Sequence, residues 1–89
     1  MSQPIVVHDG SKFGSFDGVA LELSGQGGSA KATRLAVEAI ASITLAESGD
    51  TLMLGIKSRH GGFGMTVSRA RQAEWQALVE AVNEARARR

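Results

Sequence analysis

The chain has no cysteine and no tyrosine, and only one proline and one tryptophan among its 89 residues. Without cysteine, neither disulfides nor thiolate metal sites supplement the core. Their absence also fits a reducing compartment. A chain this short is expected to form one domain, residues 1–89, burying roughly 60–65% of the surface its unfolded form exposes. Each large apolar residue therefore matters. Phe13, Phe16, Phe63 and Trp75 are the only aromatics, which leaves few platforms on which bases could stack. The net charge of +1 carries no general attraction to nucleic acid. No run approaches the ~20 apolar residues of a membrane span. Residues 1–4 lack the basic start and apolar stretch of a secretory signal. The expected location is the cytoplasm.

What the chain does have is order. Short alternating segments fill residues 4–67. Ile5, Val6 and Val7 follow Pro4, and Val19, Leu21 and Leu23 alternate with Ala20 and Glu22, the period of a half-buried strand. Residues 13–16 read as a short strand or a loop because Gly14 weakens them. Asp9-Gly10 and Asp17-Gly18 are turn signals, and residues 24–29 read as a flexible loop. Residues 31–35 read as a strand. Over 36–46 the pattern is ambiguous: Val37, Ile40 and Ile43 have the spacing of a helical face, but Ile43-Thr44-Leu45 favours a strand and a helix would lack a start cap, so a short turn at 37–39 and a strand over about 40–47 are preferred. A hairpin loop at 48–50 leads into the pair 51–58 and 63–68. Residues 69–88 then form one amphipathic helix with Ser68 as N-cap. Trp75, Leu78, Val79 and Val82 follow the i, i+3, i+4, i+7 spacing of one face, extended by Gln72 and Ala85. Trp75 is its expected anchor. Glu84 and Arg88 have the favourable i, i+4 order.

This succession resembles the pleckstrin-homology-like superfold, and more closely the short bacterial domains of that kind whose function is unknown. The resemblance rests on the segment Gly14-Ser-Phe-Asp-Gly18 and the strand after it, and on Ile40-Ala-Ser-Ile43-Thr-Leu45. Gly55-Ile56, residues 63–67 and the Trp75-x-x-Leu78-Val79-x-x-Val82 helix complete it. It implies an α+β, mainly β fold: a bent antiparallel sheet or partly open barrel of about seven strands with one C-terminal amphipathic helix. It does not imply an enzyme. Several such domains are associated with oligomer formation or membrane-linked regulation.

The residues offer no convincing catalytic set. His8 and His60 are the only imidazoles. Pairing His8 with Asp9, or His60 with Asp50, follows no metal-ligand spacing, so no cofactor or metal is expected. Ser15 lacks the strand–turn–helix setting of a nucleophile. The glycines at 25–28 and 61–64 do not precede a helix directly, as a phosphate loop would, and read as hairpin turns. Between residues 51 and 73 every charged side chain is basic: Lys57, Arg59, Arg69 and Arg71. With His60 they form the candidate anion- or partner-binding set. Arg59 and His60 fall at a hairpin tip, whereas Arg69 and Arg71 fall near the helix start. Arg86, Arg88 and Arg89 read as favourable charge at a helix C-terminus that then frays. By analogy with eukaryotic relatives, lipid-headgroup binding needs basic residues on the early hairpin loops, where Lys12 stands beside Asp9 and Asp17. The leading expectation is a non-enzymatic binding or assembly module. Its partner would be a protein or a second copy of the chain, through a strand edge or an apolar face bearing Met53, Phe63 or Met65. A small anion or lipid headgroup is the alternative, and nucleic acid is disfavoured.

Overall fold

The computed structural model describes residues 4–25, 32–59 and 61–88. Two antiparallel sheets and one C-terminal helix form the fold. The first sheet runs in the order β1 (Ile5–Asp9), β2 (Lys12–Phe16), β3 (Ala20–Ser24) and β4 (Ala32–Ala36). A 3-10 turn, Val37–Ala39, leads into the second sheet of β5 (Ile40–Ser48), β6 (Thr51–Ser58) and β7 (Gly61–Ser68). A second 3-10 turn, Arg69–Arg71, precedes α1 (Gln72–Ala87). Among the described residues no strand of one sheet pairs with a strand of the other. The expected single bent sheet or partly open barrel is therefore two open sheets, joined through side chains rather than a continuous ladder.

Two-residue loops set the registers. Asp9 faces Lys12 and Ser48 faces Thr51. The intervening Gly10 and Gly49 have φ of 63° and 60°, as the first loop position of a type II′ turn requires. Residues 13–16, left between strand and loop by the sequence, are strand. Gly14 sits between Val7 and Leu23 in the register. The expected 24–29 loop lies mostly outside the described residues.

One apolar cluster unites the elements. Val7, Phe16, Leu21 and Leu23 come from the first sheet, Ile43, Leu52, Leu54, Ile56, Met65 and Val67 from the second, and Trp75, Leu78, Val79 and Val82 from the helix. Helix α1 lies against β5, β1 and β2. Its expected stripe is buried, and Trp75 is fully enclosed. Ala85 packs against the cluster, but Gln72 is exposed and does not extend the face. Ser68 caps the 3-10 turn, its hydroxyl accepting from the Ala70 amide at 3.1 Å. The α-helix therefore begins a turn later than the spacing suggests.

Gly14 decides how closely the helix approaches. A Cβ built there would lie 2.7 Å from Cζ3 of Trp75 and 3.1 Å from methyl carbons of Leu23 and Leu78. The missing side chain opens a notch in the first sheet that the indole fills. On the second sheet, β5 carries a bulge between Ile40 and Ser42, which frees backbone carbonyls from the ladder. Arg86 takes them: its Nε donates to the Ile40 carbonyl at 3.1 Å and its Nη2 to that of Ala41. Nη1 of Arg86 donates to Oδ1 of Asn83 at 2.9 Å. Arg86 thus fastens the end of the helix to β5 and does not belong to a frayed tail.

Candidate functional site

The five basic candidates do not converge. Arg59 lies just beyond β6, where its amide donates to the Ala39 carbonyl at 3.2 Å and its guanidinium to the Glu38 carbonyl at 3.3 Å. His60 lies outside the described residues. At the other end of the strand, Arg69 pairs with Glu47 and donates to the Gly49 carbonyl at 3.2 Å. Arg71 pairs with Glu74 at 3.2 Å. Strand β6 spans roughly 23 Å at ~3.3 Å per residue, so Arg59 and Arg69 stand at opposite ends of the sheet. Arg69 and Arg71 each have a carboxylate beside them, which lowers the local positive potential.

Lys57 projects from the exposed face of β6. It lines a shallow groove of about 330 Å³ with Ser42, Thr44, Gly55 and Gly62. The register extends this face: Thr44, Gly55 and Gly64 lie side by side, as do Ala46, Met53 and Thr66. The outer surface of the second sheet is therefore made of glycine, alanine, small hydroxyl residues and one methionine, with Lys57 its only charge within these rows. Met53 is 40% exposed, and its sulfur lies 3.1 Å from where a Cβ on Gly64 would sit. Met65, offered by the sequence for the same surface, is buried in the core. The Phe63 side chain lies outside the described residues.

Strand β7 forms one edge of this sheet, and its backbone orientation follows from the hairpins. Ser48 faces Thr51 and Ser58 faces Gly61 across two-residue loops, and such closing positions are hydrogen-bonded pairs. Alternation then turns Thr51, Met53, Gly55 and Lys57 toward β5, and Leu52, Leu54, Ile56 and Ser58 toward β7. On β7, Gly61, Phe63, Met65 and Val67 bond to β6. The N–H and C=O groups of Gly62, Gly64 and Thr66 point away from the sheet, and no described strand pairs with them. The ladder stops at Ser68, whose amide donates to Oδ2 of Asp9 at 2.8 Å.

His8 and Asp9 are neighbours in β1 and face opposite sides of it, and the pairing of His60 with Asp50 lies outside the described residues. The ring of His8 packs on Phe13, centroids 5.1 Å apart. The Asp9 carboxylate serves the other side of β1, where the same Oδ2 also accepts from Trp75 Nε1 at 3.1 Å. No group of three or more metal-ligating side chains occurs among the described residues. Asp17 accepts from the amides of Ala20 and Val19 at 2.8 and 2.9 Å. These bonds, with Arg34 nearby, hold its pKa below the ordinary carboxylate value. That carboxylate stabilises a turn. A smaller cavity of about 180 Å³ lies between the sheet and the end of the helix, walled by Ile5, Phe16, Ala81 and Ala85, with Glu84 and Arg88 also lining it.

Asp9, Gly14, Arg86 and the bare β7 edge carry the arrangement, in roles that the sequence alone does not reveal. For β7 a signal was present: residues 61–68 contain neither charge nor proline, the devices by which edges are ordinarily blunted. No protein-family model matches the chain, and no curated protein matches it. No described helix is long and apolar enough to cross a membrane.

Proposed function

We propose that the chain is a non-enzymatic binding or assembly module of pleckstrin-homology-like fold that acts in the cytoplasm. The element order supports the fold: antiparallel hairpins followed by one helix docked through a Trp/Leu/Val stripe. The observation that carries the function is the outer edge of β7. It offers three consecutive outward-facing backbone positions, two of them glycine, on a strand with no charge or proline. An incoming extended strand gains main-chain hydrogen bonds there without displacing a side chain. A photo-crosslinking amino acid at position 66, introduced into the full chain in cells, tests this. Reproducible attachment of one protein species at 66, and none from the exposed helix position 80, is expected. No protein adduct at 66, or the same adducts from both positions, overturns the reading.

The anion alternative draws its support from Lys57 beside the Ser42 and Thr44 hydroxyls in the groove. It requires anionic vesicles to retain the protein at low salt and to lose it on Lys57→Ala.

A further inference from the structure

We infer that the occupant of the β7 edge is β7 of a second copy of this chain. The two strands run antiparallel about a two-fold axis at Gly64 and join two three-stranded sheets into one of six. The inference rests on the assembly reading above and narrows it to one partner.

The choice of edge comes from charge. Of the described edge strands, β1 carries His8 and Asp9, β4 carries Arg34 and β5 carries Glu47. Only β7, Gly-Gly-Phe-Gly-Met-Thr-Val-Ser, has none. Charged side chains are a device that keeps edges from pairing; β7 has none, and in an isologous contact its residues meet only uncharged mirror positions of the same strand. The register follows from hydrogen bonding. With the axis at Gly64, Gly62 faces the second copy's Thr66 and Gly64 faces Gly64, so all three outward residues of both strands form bonded pairs. That arrangement gives about six backbone hydrogen bonds. Sliding two residues one way leaves Thr66 unpaired. Sliding the other way requires the Ser68 amide, which is already donated to Asp9.

The surface beside the axis fits the same partner. Met53 is exposed and lies over Gly64. Two-fold pairing at Gly64 sets the two methionines side by side above a glycine floor, where their flexible thioethers repack and leave water. In this register Arg59 comes level with the second copy's Arg69, but both guanidinium groups turn toward the β5 side, to the Glu38 carbonyl and to Glu47, and add no charge at the axis. The contact is small, and the dimer is expected to be weak and concentration-dependent.

Sedimentation of the full chain from about 10 μM to about 1 mM, at low and high salt, tests this. Reversible dimerisation that changes little with salt is expected, as for a contact made by an uncharged strand. Thr66→Pro removes an outward N–H that the β6 ladder does not use, and Thr66→Lys adds a charge opposite the second copy's Gly62. Each should weaken the dimer at least ~10-fold while Trp75 emission and thermal midpoint stay near those of the parent chain. Should the proline variant fail to fold, the lysine variant decides. In the parent chain, amide protection of Gly64 should rise with protein concentration. A strict monomer at about 1 mM, a dimer unaffected by folded variants, or concentration-independent exchange at Gly64 overturns the inference. If the chain is monomeric yet a different protein crosslinks at position 66, the second-copy inference fails and the assembly reading stands. If neither association appears, both fail.

Discussion

Asp9 closes β1, yet its two hydrogen-bond donors, the Ser68 amide and the Trp75 indole, lie 59 and 66 residues along the chain. One carboxylate oxygen therefore ties the first strand to the end of the last strand and to the helix anchor. The dipeptide Asp9-Gly10 marks a turn, and the glycine does adopt the positive φ that turn needs. Nothing local reveals the carboxylate's second task, because both donors arrive only through tertiary folding. Asp9→Ala leaves two part-buried donors without their acceptor and should cost about 1–3 kcal/mol. Asp9→Asn, which keeps an amide oxygen, should cost less. Urea unfolding with an unchanged m-value measures both. Equal stabilities for the parent chain and Asp9→Ala would remove the link from the fold's energetics.

At the level of elements, the helix was the most legible part, because four large apolar residues at helical spacing have one economical burial. Its first turn was not. Ser68 looks like a helix cap in sequence and is a cap in structure, but the turn it caps is 3-10. In sequence Gly14 only weakens a strand, whereas in the fold it is the notch that admits Trp75. Periodicity reports which face of an element is apolar, not how near another element comes. Gly14→Ala puts a methyl group against Cζ3 of Trp75, Leu23 and Leu78. Overpacking of this kind should cost about 1–3 kcal/mol, with a change in Trp75 emission as the indole shifts. Full parental stability would show that the helix sits further from the sheet. Arg86 teaches the same lesson from the other side. A basic residue in a last helical turn suits the helix dipole, but only the bulge in β5 shows that its partners are strand carbonyls.

For the whole molecule, alternation and turn residues made the antiparallel hairpins readable, and the β6–β7 hairpin closely matches its expected limits. The division into two sheets was not readable, because it depends on the 3-10 turn Val37–Ala39 carrying the chain from β4 to β5 without strand pairing between them. The basic residues were visible as a cluster in sequence, but an intervening strand of ~23 Å holds Arg59 apart from Arg69. What remains is a scaffold with its apolar stripe enclosed and the outward side of β7 unpaired by any described strand. Amide hydrogen exchange in dilute protein tests that architecture most directly. Gly62, Gly64 and Thr66 should exchange quickly while the intervening Met65, and Val67 beyond, stay protected. Equal protection of Gly64, Thr66, Met65 and Val67 would mean that the edge is already covered within one chain, contradicting the proposed mode of assembly.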